Sequence, residues 1–398
     1  MRGWANWISQ VGAMTRMGLS TVMERKGSSV ATMFGIAGVV LVFVAVLSIG
    51  EGFRRTMVVS GDPGVAMVMR AGSDTEMMSI FGGRSVHWIA DAPGIARSDQ
   101  GPLVSAQLFV IINLPKRSSG TDANVPLRGV DARAFGVSDA VRIVAGRRFQ
   151  PGRGEVIVGV GAARAFAGLD LGATLHVGRH QWKIVGFFEA NGGLPESEIW
   201  TDAVVLQGAY ERGNSYQSVL ARLQSPEAFG RFREVLEADP RLNVKVVRQT
   251  DYFIEQSRTV YRVVTGLGVT IAALMAVGAV FGALNTMYTA VSARTREIAT
   301  FRALGFGGGA VMVSVLAESL CLALIGGGVG GGLGYVIFDG FQAATMNWQS
   351  FSQVAFQLDV TPGLLFGGVA GALMIGLIGG VFPAVRAASL PVAMALRA

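Results

Sequence analysis

Charge is scarce in this chain. Asp, Glu, Lys and Arg make up 15% of its 398 residues, against about 25% in ordinary soluble domains. Cysteine is nearly absent. Cys321 stands alone inside an apolar run, which excludes an intrachain disulfide and a cysteine metal site. Histidine is equally rare: His176 and His180 flank Gly178-Arg179 and read as the ends of a hairpin turn, and His87 stands apart. There is no Walker phosphate loop, no His-Glu-x-x-His and no paired Cys-x-x-Cys, so these motifs offer no ATP site, no metal and no catalytic group in this chain. The formal charge of +7 comes without a basic, aromatic-interleaved stripe, so nucleic acid is not an expected partner.

What is present is long apolar runs. Four stand out, at 27–50, 263–293, 303–338 and 360–385, the third interrupted by Glu318. Each is long enough to cross a bilayer as a helix. The expected spans are 27–50, 258–291 (with a stalk), 309–338 and 362–385. The first reads as a retained span, because about 25 residues precede it and its core is too long for a signal peptide. Arg2, Arg16, Arg25 and Lys26 precede it, three arginines lie between the second and third runs, and Arg386 and Arg397 follow the fourth. The loop at 339–361 has two Asp and neither Lys nor Arg. The positive-inside rule therefore puts both termini (1–26 and 386–398) and the 292–306 segment in the cytoplasm, and 51–257 outside. Trp4, Trp7, Ile8, Val11 and Met14 recur at helical spacing, which predicts an amphipathic helix on the inner membrane face.

The expected fold is thus a membrane protein of four transmembrane α-helices, with a large two-lobed α+β extracytoplasmic domain inserted between helices 1 and 2. Strands are predicted at 65–70, 104–112, 155–160, 174–177, 183–188, 203–206, 218–223 and 243–248. A helix at 226–238 between the last two makes a β-α-β unit, and the 65–70 strand would split it. The middle, about 113–215, reads as an inserted lobe, with a polar loop at 116–124.

The organising stretch is the charged interruption after the second run, Ser292-Ala-Arg-Thr-Arg-Glu-Ile-Ala-Thr-Phe-Arg-Ala-Leu-Gly-Phe306. As a helix it places Ile298, Phe301 and Leu304 near one face and leaves Arg294, Arg296 and Glu297 for contacts, since paired charges give an interface register. In the spans, Gly326, Gly330 and Gly334, and again Gly363, Gly367 and Gly371, recur every four residues. That spacing suits close helix packing, within one subunit or across a dimer. Two readings stand for Glu318: a functional intramembrane acid, or a group hydrogen-bonded to a neighbouring helix near the cytoplasmic interface. The second is favoured, because proton coupling needs more than one such group.

The 293–305 segment resembles the loop after the second span in the MacB/FtsX-type ABC transporter permease family. The tail, Phe382-Pro-Ala-Val-Arg-Ala-Ala-Ser-Leu-Pro-Val-Ala-Met-Ala-Leu-Arg-Ala398, resembles that family's C-terminal signature, with Ser389-Leu390 where a charge often stands. Glu51-Gly-Phe-Arg54, Arg128-Gly-Val-Asp131, Ala145-Gly-Arg147 and Lys183-Ile-Val-Gly186 also fit. The resemblance, to members without a fused ATPase (DevC/LolC-like), implies a dimer of four-span permeases, of identical chains or with a sister chain, over two separate ABC ATPase subunits. ATP and Mg would be bound there, with no cofactor in this chain. It implies mechanotransmission, with Arg294, Arg296, Glu297, Ile298, Phe301 and Arg302 coupling the ATPase to the spans. Efflux through a periplasmic adaptor and outer-membrane channel, lipoprotein or lipid extraction, and control of a cell-wall hydrolase are the outcomes the family offers. A membrane-anchored sensor is the alternative. A secondary transporter is disfavoured by the lack of inverted repeats and broken helices.

Overall fold

The computed structural model describes residues 2–22, 26–99, 101–347 and 352–391. Arg25, the tail beyond Pro391 with Arg397, and the side chains of Trp4 and Ile8 lie outside the described set. Besides the helix Gly83–Ala90 and some shorter ones, the helices in chain order are α1 (Arg2–Val22), α2 (Lys26–Val59), α3 (Ala203–Ala209), α4 (Phe229–Ala238), α5 (Gln249–Ala293), α6 (Thr295–Ala303), α7 (Gly308–Phe338) and α8 (Pro362–Ala388). Among the described residues four of these, α2, α5, α7 and α8, are long and apolar enough to cross a membrane. The 45-residue α5 is ~67 Å long, more than twice the ~30 Å hydrocarbon core. The chain divides into two compact units. One comprises Met1–Glu51, Arg262–Phe341 and Leu358–Ala398, the other Gly52–Tyr261 and Gln342–Gln357.

The helical unit is packed through its glycines. Gly330 of α7 sits so close to α2 that an added Cβ would stand 2.4 Å from the Ala37 carbonyl oxygen, and Gly326 and Gly334 meet Met33 and Val44 of α2 in the same way. In α8 the expected set is off by a step. A Cβ at Gly371 would meet nothing within 4 Å, at Gly363 only its own Thr361, and at Gly367 only an ordinary contact with Phe43. The tight face of α8 is instead Gly368, Gly376, Gly379 and Gly380, against Val40, Ala323, Ala283 and Ser319. The inner register is carried by Gly368, Ala372, Gly376 and Gly380, one residue on from the Gly363-Gly367-Gly371 series, and spacing alone does not say which register faces inward.

The α+β unit is built on a ten-stranded sheet. Its strands are β1 (Val65–Arg70), β2 (Val104–Pro115), β3 (Asp122–Val130), β4 (Arg142–Gly146), β5 (Glu155–Gly159), β6 (Thr174–Val177), β7 (His180–Glu189), β8 (Ile199–Asp202), β9 (Ser218–Arg222) and β10 (Val244–Arg248). The order is β10-β1-β9-β2-β3-β8-β5-β7-β4, with β6 on β7. β1 lies between β9 and β10 and runs antiparallel to both, so the β9-α4-β10 crossover is the expected split unit. Two cores follow the two lobes, one around Val68, Phe232 and Val246 and one around Leu127, Trp182 and Ile184. The lobes share one sheet, joined where β9 pairs with β2.

Two expectations for this unit are corrected. Residues 203–206 form the start of α3, not a strand. The Asp202 carboxylate caps the helix by accepting from the Val204 amide at 2.9 Å, and the strand is the preceding Ile199–Asp202. The Val204-Val205 pair mimics a strand, but the N-cap decides. Nor is 339–361 a plain loop. It contains a hairpin, β11 (Gln342–Asn347) with β12 (Ser352–Gln357), and this hairpin belongs to the α+β unit. The Phe356 ring meets Phe53 edge-on at 5.8 Å, and the Ala355 amide donates to Ser197 Oγ. Phe53 is the buried side chain of the Glu51-Gly-Phe-Arg54 sequence, next to the buried Gly52.

The short sequence matches in this unit have physical causes. Gly146 has a φ of +72°, and a Cβ there would stand 2.2 Å from the Val185 carbonyl, while a Cβ on Gly186 would stand 2.3 Å from that of Arg147. Two backbones therefore cross where only glycine fits. Beside them Arg147 makes a two-pronged pair with Glu155 at 2.7 Å per prong. That hydrogen bonding, outweighing partial burial, lowers the Glu155 carboxyl to about 2. A carboxyl held below its unfolded value of about 4.5 contributes stability above that pH and loses it as pH falls towards 2. Glu155→Gln is therefore expected to flatten the acid-unfolding curve between those limits. Superimposable curves for the two chains would contradict this.

Arg128 is the centre of a buried ionic node. Its guanidinium donates to Glu198 at 2.7 and 2.8 Å, to Glu76 at 2.9 and 3.1 Å, and to Gln107 at 2.7 Å. The Trp200 indole and the Ser218 hydroxyl donate to the same two carboxylates. Burial opposes charge on these groups. The two carboxylates nonetheless hold Arg128 well above its usual range, and Arg128 holds Glu76 below the ordinary carboxylate range.

Candidate functional site

The charged segment forms α6, a separate short helix between α5 and α7. Arg294 breaks the path, with φ and ψ of −111° and 17°. The helix stops by a Schellman motif. The Phe306 amide donates to the Phe301 carbonyl and the Gly305 amide to that of Arg302, both at 3.1 Å. Gly305 supplies the left-handed turn, with a φ of +95°. The Phe301 and Phe306 rings then close edge-on at 5.3 Å.

The six residues expected to couple divide into two groups. Ile298 is buried among Met14, Met287, Val291 and Val311, and Phe301 packs on that cluster. Arg302 donates to the Leu390 carbonyl at 2.7 Å, which ties α6 to the segment after α8. Arg294 turns inward and pairs with Glu318 of α7, their side chains only 12% and 4% exposed. These four hold the helix. Arg296 and Glu297 are exposed. Leu304 is 72% exposed rather than on the inner face with Ile298, because it caps the helix end and leaves the periodicity. The structure thus brings Glu318 and Arg294 together, and neither the run pattern nor the charge count pairs them.

α1 completes the site. It runs beside α7, and its Met14 joins the same apolar cluster. At Gly18 an added Cβ would lie 3.3 Å from Ser314 Oγ, 3.4 Å from an Arg294 nitrogen and 3.5 Å from a Glu318 oxygen. So α1 is docked on the bundle through Gly18, over the ion pair. The available signal was the small Gly18 four residues after Met14 on the apolar stripe, which marks helix contact. A small groove remains beside the pair, lined by Met14, Met17, Glu297, Phe301, Val311 and Val315 among others.

Four apolar helices, a charged helix between two of them and an α+β unit inserted after the first define a multi-pass membrane protein of the permease type. Comparison makes this specific. The MacB-like periplasmic core domain matches residues 29–239, and the FtsX-like permease C-terminal matches residues 269–392. The first match alone spans more than half of the chain, and the chain belongs to the MacB/FtsX-type ABC transporter permease family. It is 26% identical to the macrolide export ATP-binding/permease protein MacB 1/2 of Paracoccus denitrificans, over 98% of this chain and 59% of the relative. It is also 26% identical to the uncharacterized ABC transporter permease YknZ of Bacillus subtilis, over 96% of this chain and 98% of that one. The chain thus spans less than two thirds of its MacB relatives. Among solved structures, the periplasmic region of MacB from Actinobacillus actinomycetemcomitans matches 49% of this chain at 12% identity, with a TM-score of 0.37.

Proposed function

We propose that this chain is the permease subunit of an ABC transporter. A separate ATPase subunit binds ATP and Mg, and its closure is passed through α6 to the spans and the extracytoplasmic domain. This mechanotransmission drives export or extraction of a substrate from the outer face of the inner membrane. The observation that carries the reading is α6 itself: a helix held on its inner side by four residues that presents Arg296 and Glu297 outward. Such a helix can take a push without folding away. The match over nearly all of YknZ, a permease by name, supports an ATPase on another chain. The distribution of arginine supports cytoplasmic termini. The permease works as a dimer, of identical chains or with a sister permease, and the free Gly363-Gly367-Gly371 face of α8 is available to the second copy. Efflux through an adaptor and an outer-membrane channel and lipoprotein export are the two assemblies a large extracytoplasmic domain suits.

The test is mild-detergent purification from the native membrane with mass spectrometry of what accompanies the chain. An ATPase with an adaptor supports efflux, and an ATPase with a different permease supports extraction. No ATPase, with ATP analogue present, overturns the reading in favour of a sensor or hydrolase regulator. Arg296→Glu with Glu297→Arg is expected to weaken ATPase association roughly tenfold or more, as for interface charge pairs, with membrane insertion unchanged. Undiminished capture of the ATPase by that variant would count against α6 as the contact.

A further inference from the structure

We infer that Glu318 and Gly18 are positioning residues that make Arg294 a latch between α6 and the bundle, with α1 as its clasp; the coupling part of this rests on the function proposed above.

The argument starts from cost. Arg294 and Glu318 are almost wholly buried, and a buried ion pair adds little net stability over well-packed apolar groups. Charge there needs another reason, and geometry supplies one. The pair joins the first residue before α6 to Glu318 in the first third of α7, while the far end of α6 is tied through Arg302 to the Leu390 carbonyl. A rigid helix fixed at both ends has one tilt. The side of the pair facing α1 is closed by Gly18, the residue type that lets α1 approach Ser314, Arg294 and Glu318 together. A larger residue there lifts α1 without altering either charge. The latch therefore has two separable parts, the ion pair and its cover. Apolar residues could fill the same space but would not fix direction, whereas the Arg–carboxylate pair sets angle as well as distance.

This gives Glu318 a role distinct from proton carriage. A carrier must be reached by water and must lose its partner in each cycle. A latch must keep its partner and needs only the opposite charge opposite it. Exchanging the two charges separates these roles, since a latch works in either polarity.

The experiment uses the full chain in lipid nanodiscs, with Cys321→Ser as background and spin labels at Met17→Cys on α1 and Thr300→Cys on α6. Both positions are exposed, and neither is one of the two charges proposed to meet the ATPase. Without any ATPase, Glu318→Gln and Gly18→Leu are each expected to broaden the distance distribution, and Arg294→Glu with Glu318→Arg to restore it. With the co-purifying ATPase and an ATP analogue, Glu318→Gln is expected to reduce the ATP-linked distance change about tenfold, within the usual span of coupling energies, while the ATPase remains bound. Gly18→Leu guards against a folding failure in the charge variants, since it keeps both charges. An unchanged distribution in Glu318→Gln and Gly18→Leu overturns the latch. So does a full ATP-linked change in Glu318→Gln, which makes the pair a passive brace. Failure of the charge exchange to restore either readout, in a chain that folds, also overturns it. If no ATPase binds even the wild-type chain, the proposed function falls, and the latch is judged on the distances alone.

Discussion

Arg128→Met is expected to cost the α+β unit roughly 3–5 kcal/mol, the loss that follows when one partner is removed from a buried ionic group. The substitution keeps much of the side-chain volume, so little cavity forms. What it leaves is Glu76 and Glu198 facing each other without the guanidinium that donates to both. Domain stabilities are about 5–15 kcal/mol, so this one change removes about a fifth of the total or more. The sign of its pH dependence is also fixed. In the native chain Arg128 holds Glu76 low, and the node stabilises above the ordinary carboxylate range. Without Arg128, burial alone acts on Glu76 and pushes its carboxyl up, so the deficit is largest near neutrality and shrinks as acid protonates it. Tryptophan fluorescence during urea unfolding of the full chain in detergent reads this, since the Trp200 indole donates to Glu198 at 2.7 Å. An unfolding midpoint equal to that of the wild type at pH 7 would refute it. Arg128→Lys keeps the charge but loses the fork, and is expected to fall between the two.

Gly330→Leu is expected to separate α7 from α2. Its Cβ would be placed 2.4 Å from a carbonyl oxygen and 2.9 Å from the Cα of Ala37. Those atoms are backbone and cannot rotate aside. Overpacking a core with movable side chains costs about 1–3 kcal/mol, and here a helix must shift, so the loss exceeds that range. Gly371→Leu is the matched control, with nothing within 4 Å of its Cβ. In mild detergent the Gly330 variant should elute as aggregate and be cleaved readily by protease within the spans. The Gly371 variant should keep a native fold and show at most a changed oligomeric state. Equal behaviour of the two would mean that the α2–α7 contact is not what holds the helical unit together.

The parts of the fold legible in the sequence were those set by local pattern. Apolar run length marked the four spans, and alternation with flanking turns marked most strands. Strand 65–70 could be placed inside the β-α-β unit because a right-handed crossover leaves room for one strand between its two. Legibility failed where the deciding contact was distant. Residues 203–206 have strand-like side chains, and only the Asp202 cap makes them helical. Gly371 ends a four-residue glycine series and Gly368 lies in a register of small residues one step away, and which of them touches α2 depends on the rotation of α8. The hairpin at 342–357 has modest apolar content, and its place in the sheet-bearing unit rests on Phe53 and Ser197, far away in sequence.

At the candidate site, the position of α6 was readable from four charges between two apolar runs. The division of labour within it was not. Ile298 and Phe301 were expected to couple, yet one is core and the other belongs to the helix stop. Arg294 carries the same charge as Arg296 two residues on, but the break in helical path at Arg294 turns it inward. Composition cannot report a change of direction. The likeness to the family pointed to the segment, and geometry shows which of its charges face out.

The hairpin at 342–357 bears on the order in which the chain is made. A nascent chain leaves the ribosome from its N-terminus, so strands β1 to β10 exist before α5 is complete. The α+β unit is still short of its last piece at that moment. Phe53 has no Phe356 beside it, and Ser197 Oγ has no Ala355 amide to receive. The missing segment arrives only after α5, α6 and α7 have been synthesised. The unit must therefore wait, nearly finished, until the helices that separate its two parts along the chain have been made.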